Sequence, residues 1–296
     1  MGKSPRSQAK GAVAKKLALN TPRHGNNSDG KIHSLGTARS YTQALTGYAK
    51  FIRESNGGSL FRSGTKPEMA MDYLQHRAGE VSQKTLDLDR QAIQMHLGQK
   101  LEVVKSLQET RLTCRSYTPD QVFLVAAAQT ERNGLATEIA YSAGLRAHEL
   151  LTLRRINEHG PSIHRGWNAD RFAGRDGERY TVHGKGGLVR EVMIPRNVAN
   201  RLEERRLSEP IRVTDRGIHY QQRYDISGGN RWSASFTEAS KRTLGWSRGA
   251  HGLRHSYAQE RMAELQRNGK TYEDAKETVA QEVGHFNKET TEAYLR

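Results

Sequence analysis

The chain has 296 residues, 35% of them hydrophobic, with 47 Lys and Arg against 32 Asp and Glu, a formal net charge of +15. That length accommodates roughly two domains, and the charge excess favours a polyanionic partner, nucleic acid before an acidic membrane surface. The longest apolar run, Val122 to Ala128, is far too short to span a bilayer, and Lys15 and Lys16 interrupt any signal-peptide apolar stretch, so a cytoplasmic protein is expected. The single cysteine, Cys114, excludes an internal disulfide and a cysteine-based zinc site, and is expected in a reduced, partly buried position.

Residues 1–34 carry seven basic side chains against one acid, Asp29, with "HGNNSDG" among them. With little apolar periodicity, this segment is expected to be a flexible basic arm, either lying along DNA or merely solubilising the end of the chain. Residues 35–110 predict a small helical domain. Tyr41, Leu45, Tyr48 and Ile52 recur at helical spacing, and "ESNGGS" ends that helix. "PEMAMDYLQHRA" and "TLDLDRQAIQMHL" supply two more amphipathic helices. Ten bases nearly balance eight acids over this stretch, so DNA would be met by one face rather than by overall charge.

The remaining residues, 111–296, predict a mixed α/β domain. Thr118, Pro119 and Gln121 form a capping-box signature, opening a short helix that runs toward Gly144, with a further helix beginning near Arg146. "RYTVHGKGGLVREVMIP" alternates around Gly184, Gly186 and Gly187, the signature of a hairpin in a small antiparallel sheet. The rest of the chain is expected to be helical, with "SASFTEASKRTLG", "GLRHSYAQERMAELQ" and "TYEDAKETVAQEV" as its helices. The fold class is therefore α+β and mainly helical.

Three local patterns carry possible chemistry. In "AGLRAHELLTLR", Arg146 follows a glycine turn, where a guanidinium and free backbone N–H groups would face one anion; the plain alternative is an ordinary amphipathic helix start. Glu149, three residues on, is placed to pin Arg146 or a neighbour. In "HGLRHSY", His251 and Arg254 project from one helical face, with Leu253 and Tyr257 on the core side and His255 a packed histidine. In "GHFNKETTEAYLR", His285 precedes Tyr294 by nine residues, on the last turn of the chain. No acidic or sulfur ligands accompany these histidines at metal-binding spacing.

Taken in order, Arg, then His-x-x-Arg, then Gly-His, then Tyr, the chain resembles the tyrosine recombinase (phage integrase) family over about residues 35–296. "GLRAHELLTL" is similar to that family's first-arginine box, "HGLRHSYA" to its His-x-x-Arg box and "GHFNKETTEAY" to its Gly-His box and nucleophile. The resemblance implies a helical core-binding (SAM-like) domain over 35–110 and a catalytic domain over 111–296. It implies Tyr294 as nucleophile, with Arg146, His251, Arg254 and His285 activating the phosphate. Lys185, on the hairpin, matches the family's general acid, and Glu149 an acidic position behind the reacting groups.

The activity implied is site-specific cleavage and rejoining of double-stranded DNA through a 3′-phosphotyrosine, serving integration or excision of a mobile element. It would proceed without cofactor or metal, by a homotetramer on paired sites in the bacterial nucleoid, with possible accessory DNA-bending proteins and no membrane. Two rivals use the same residues differently: a type IB topoisomerase-like relaxer, and a DNA-binding regulator that has lost catalysis. The segment from Arg254 to His285 is longer than is usual in the family, with "QRNGKTYEDAK" resembling an inserted or extended helix. The chain stops two residues after Tyr294, where many relatives continue into a helix that docks on a neighbour, so the tyrosine is expected to serve its own subunit.

Overall fold

The computed structural model describes residues 3–19, 30–109 and 113–295, the Lys185 side chain apart. The chain divides into two compact units, Met1–Arg111 and Leu112–Arg296.

Unit one is helical. Helix α1 (Pro5–Ala14) opens with Pro5 at its first position and the Ser4 hydroxyl accepting from the Ser7 amide. Helix α2 (Leu35–Asn56) is capped by Ser34 and ended by Gly57 in the left-handed conformation. Helices α3 (Pro67–Ala78) and α4 (Gln83–Leu97) come next. Leu45, Tyr48 and Ile52 of α2 are fully buried with Leu60, Leu74 and Ile93, while Tyr41 is half-buried at the edge of this core.

The expected free arm differs here. Ala9, Ala12 and Val13 of α1 are buried in the same core, and the Gln8 side chain accepts from the Leu60 amide at 2.7 Å. The chain returns at Ile32, which is buried and exchanges backbone hydrogen bonds with Lys16 and Ala18. A stripe of two alanines and one valine at spacings of three and four is enough to seat a helix on α2, yet too small to stand out in a lysine-rich segment. Residues 20–29, which hold most of "HGNNSDG", lie outside the described residues.

Unit two surrounds two small antiparallel sheets with helices. Helix α5 (Pro119–Ala127) carries the full capping box, Thr118 and Gln121 satisfying each other's amides. The expected single helix is two, because Thr130 starts helix α6 (Glu131–Ser142); a Cβ on Gly134 would lie 2.7 Å from the Ala126 carbonyl, so the pair approaches closely only with glycine there. No helix starts at Arg146. The residue lies in a turn that leads into a single 3-10 turn, Glu149–Thr152.

Strands β1 (Arg154–Arg155), β2 (Glu178–His183) and β3 (Val189–Ile194) pair in that order, with His183 opposite Val189 at the hairpin end. Gly186 and Gly187 both have positive φ in the connecting loop, as the glycine run predicts. Helix α7 (Arg196–Glu203) comes after β3.

The next segment is not helical as expected. Strands β4 (Arg206–Asp215) and β5 (Ile218–Tyr224) form a second hairpin, turned at Arg216 and Gly217, both at positive φ. Pro210 within β4 and a largely exposed strand weaken the alternating signal that would announce it. Helices α8 (Gly229–Leu244), α9 (Gly252–Arg267) and α10 (Tyr272–Glu282) complete the unit, and a 3-10 segment, Lys288–Tyr294, closes it. The long "QRNGKTYEDAK" stretch is thus the turn of a helical hairpin, broken at Asn268 and Gly269.

The core of unit two holds Leu135, Ile139, Val182, Ile194, Trp232, Phe236 and Leu253. Cys114, expected partly buried, is exposed, because it sits in the extended run before Thr118 rather than in an element. Among the described residues, no helix is long and apolar enough to cross a membrane.

Candidate active site

The site is organised around a carboxylate. Glu149 is fully buried and gathers three arginines. Arg146 donates to it twice at 2.8 Å, from its backbone amide to Oε2 and from Nη1 to Oε1. Arg190 donates from Nη2 to Oε2 at 2.8 Å, and Arg254 Nη1 lies 3.8 Å from Oε2. Burial alone would raise the Glu149 pKa. The guanidinium charges of Arg190, Arg254 and Arg146 outweigh it and hold the carboxyl well below the usual carboxylate range.

Two glycines make this convergence possible. Gly144 has φ +61°, and a Cβ there would press on the Tyr257 ring at 2.7 Å; its carbonyl accepts from Arg254 Nη1 at 2.6 Å. Gly284, also left-handed, ends the α10 turn, where a Cβ would meet Arg190 Cδ at 2.8 Å. The His285 amide then closes back onto the Ala280 carbonyl at 2.7 Å, which sets the imidazole beside Arg146.

Arg254 is fully buried, so the expected division of α9 into a reactive face and a core face fails. Leu253, Arg254, His255, Ser256 and Tyr257 are all buried, because the C-terminal segment covers the side of the helix that would otherwise meet solvent. Arg254 Nη2 donates to the Val283 carbonyl and Nε to Tyr294 Oη at 3.3 Å. Burial, and then the charge of Arg146, push its pKa down to about 10. His285 Nε2 lies 3.1 Å from Arg146 Nη2 and 3.4 Å from Tyr294 Oη. Burial and the charge of Arg254 push the His285 pKa down to about 4. The same two causes bring His251 to about 4, although part of this residue is open to solvent just ahead of α9.

Tyr294 is only 7% exposed. Its ring lies 5.7 Å from that of His251, 5.0 Å from His255 and 5.9 Å from His285, with the Arg254 guanidinium 5.4 Å from its centroid. The fold thus brings together Arg146, Glu149, His251, Arg254, His285 and Tyr294. Lys185 stands in the β2–β3 loop, and its side chain lies outside the described atoms. The backbone just before it does border the site, since a Cβ on Gly184 would lie 3.5 Å from Glu149 Oε1 and 4.0 Å from Arg146 Nη1. Lys241 is on an exposed stretch of α8, paired with Glu238 at 3.0 Å.

Arg190 was not singled out by sequence pattern. It is fully buried and also donates to the Glu282 and Gly144 carbonyls. One signal was available: in β3 the alternation places Arg190 on the same face as Val192 and Ile194, and an arginine at a core-facing position implies a buried anion. Three guanidiniums around one carboxylate leave two uncompensated positive charges, and such a cluster favours a further anion, as a phosphodiester would provide.

No family model and no curated protein sequence matches the chain. Solved structures do match, among them two of the XerH site-specific recombinase. One is a post-cleavage complex with a palindromic difH substrate, at TM-score 0.61 and 16% identity; the other is a pre-cleavage complex with difH, at TM-score 0.57 and 16% identity. Each match covers 100% of this chain and 94% of the other. The chain has the fold of the tyrosine site-specific recombinases.

Proposed function

We propose that this chain is a site-specific DNA recombinase that cleaves and rejoins strands through a phosphotyrosine at Tyr294. The observation that carries this reading is the Tyr294 hydroxyl, held by Arg254 Nε and His285 Nε2 against a cluster with two uncompensated positive charges. Arg146 and Arg254 would take the non-bridging oxygens of the scissile phosphate and stabilise the charge that grows on them.

The ring proton of His285 is assigned from its neighbours. Arg146 Nη2 can only donate, so His285 Nε2 accepts and Nδ1 carries the proton. A neutral His285 is then placed to take the phenolic proton of Tyr294 through that Nε2 lone pair once Arg146 turns from it to the phosphate. The Tyr294 Oη–phosphorus bond forms as the bond to the 5′-oxygen breaks. The leaving 5′-oxygen needs a proton, which Lys185 in the β2–β3 loop is proposed to give. The 5′-hydroxyl of a second strand reverses the sequence, so the energy of the broken bond is kept in the phosphotyrosine.

A nicked duplex that sheds the short fragment bearing the 5′-hydroxyl should trap a protein–DNA adduct stable to SDS. Tyr294→Phe should abolish the adduct while binding to the same duplex stays near wild type; an adduct from that variant removes Tyr294 from the role. Lys185→Ala should cleave ordinary DNA poorly and recover on a 5′-bridging phosphorothiolate, whose leaving group needs no proton. The reading extends, by the sequence resemblance, to a homotetramer on paired sites that moves a mobile element. Attachment-site repeats in the DNA flanking the gene would support that extension, and their absence would count against it.

A further inference from the structure

The segment that carries Tyr294 is tied down by a charge cluster separate from the Glu149 site. Lys276, in the middle of α10, keeps its side chain 5% exposed, although lysine is almost never buried unless paired. Its Nζ lies 3.1 Å from Glu292 Oε1, 3.5 Å from Glu289 Oε1 and 3.2 Å from Glu273 Oε1. Glu289 and Glu292 belong to the 3-10 segment that ends in Tyr294, whereas Glu273 belongs to α10.

Two further bonds repeat the same link. Lys288 pairs with Glu273 at 2.6 Å, and the Tyr272 hydroxyl donates to Glu292 at 3.1 Å. Spacing explains the arrangement on α10: Tyr272 and Glu273 lie four and three residues before Lys276, so each is within one turn of it. On the other side of that segment, Gln259 of α9 donates to the Tyr294 carbonyl at 3.0 Å, and Tyr294 packs among Ala258, Met262 and Val279.

We propose that Lys276 is a positioning residue, a latch that holds the Tyr294 segment on its own α10 so that the nucleophile serves the phosphate of its own subunit. A purely apolar attachment would resist release at any ionic strength. The carboxylates that share Lys276 are themselves 38–65% exposed, so their hold on it is partly screened by salt. The latch is therefore firm at low ionic strength and loosens as salt rises. Its consequence for cleavage rests on the recombinase reading above; its existence does not.

Hydrogen exchange of the full-length protein without DNA tests the latch itself. Lys276→Met keeps most of the packing and removes the charge. Exchange of the amides over 288–295 should rise by about 5- to 30-fold, the factor for one or two kcal/mol, with α9 amides unchanged. Lys276→Arg should restore protection, and Glu289→Gln/Glu292→Gln should match Lys276→Met without adding to it. Unchanged exchange in Lys276→Met, or an equal rise throughout unit two, overturns the proposal.

The second arm uses the trapping duplex. Arg254→Ala protein, which keeps Tyr294, is mixed with Tyr294→Phe protein, which keeps Arg254. With the latch intact the mixture should form no adduct, and adding Lys276→Met to the Arg254→Ala chain should allow one between subunits. Adduct formation by the mixture with Lys276 present overturns the own-subunit assignment. If the wild-type protein forms no adduct on any duplex, the recombinase reading fails, while the exchange result still decides the latch.

Discussion

Two buried carboxylates in unit two, Glu149 and Glu282, sit in ionic clusters of opposite design. Glu282 accepts from Arg261 Nε at 3.1 Å, the Tyr257 hydroxyl at 2.8 Å and the Phe172 amide at 2.8 Å. Arg261 also pairs with Glu264, which pairs with Arg175, so two acids meet two bases. Around Glu149 one acid meets three bases, and the hydroxyl of Tyr294 lies at its edge. The first cluster is complete within the protein and ties the loop at Phe172 to α9 and α10. The second keeps a positive excess that only an outside anion offsets. Charge balance, rather than burial, separates the structural cluster from the one proposed to react.

Removing one arginine from each cluster tests this contrast most severely. Arg261→Met leaves Glu282 buried without its direct ion-pair partner and should cost about 3–5 kcal/mol of stability in denaturant titration. Arg254→Met relieves repulsion with Arg146 and Arg190 and leaves Glu149 two arginine partners, so its cost should be clearly smaller, while the adduct disappears. Equal costs would erase the distinction.

Phosphate gives the next largest effect. Inorganic phosphate should stabilise the wild-type protein, approaching about 2.7 kcal/mol at a hundredfold excess over its Kd, and do so far less in Arg254→Met. Stabilisation that survives in Arg254→Met would place the anion elsewhere.

Acid should separate the clusters further, because His251 and His285 flank the Glu149 group. His251 and His285 have folded pKa values near 4, below the unfolded value of about 6.5, so the folded state binds fewer protons. Their contribution to stability is full above about pH 6.5 and is lost as pH falls from there toward about 4. His285→Gln should flatten part of that slope, and stability that held constant over this window would contradict the assignment. Cleavage at limiting DNA, which reports the free protein, should likewise keep a neutral His285 from pH 8 down to about 5.

The smallest effect tests the lysine proposed as the acid by contrast. Lys241 pairs with Glu238 with both side chains more than half exposed, so Lys241→Ala should change stability by less than about 0.5 kcal/mol and leave cleavage intact. A cleavage defect there would move the proposed acid away from Lys185.

Much of the helical frame was legible because it is local. The face Leu45, Tyr48 and Ile52, the Thr118–Gln121 capping box and the glycine-rich β2–β3 turn each arise from residues a few positions apart. The order of Arg146, His251, Arg254, His285 and Tyr294 marked the residues that the fold brings together. The second hairpin was hidden because β4 is mostly exposed and contains Pro210, so its pairing rests on the Arg216–Gly217 turn more than on apolar alternation.

By itself, the sequence determined most of the helical segments, the glycine-rich β2–β3 turn, and which groups able to activate a phosphate occur in one unit. Only the tertiary structure decided that α1 packs into a core, that Arg190 and Arg254 are buried on one carboxylate, and that Lys276 holds the Tyr294 segment. The reason is sequence distance. Arg146 meets His285 across 139 positions and Glu149 meets Arg190 across 41, so those partners are chosen by how helices and sheet pack, and their charges are set by burial that no local pattern encodes.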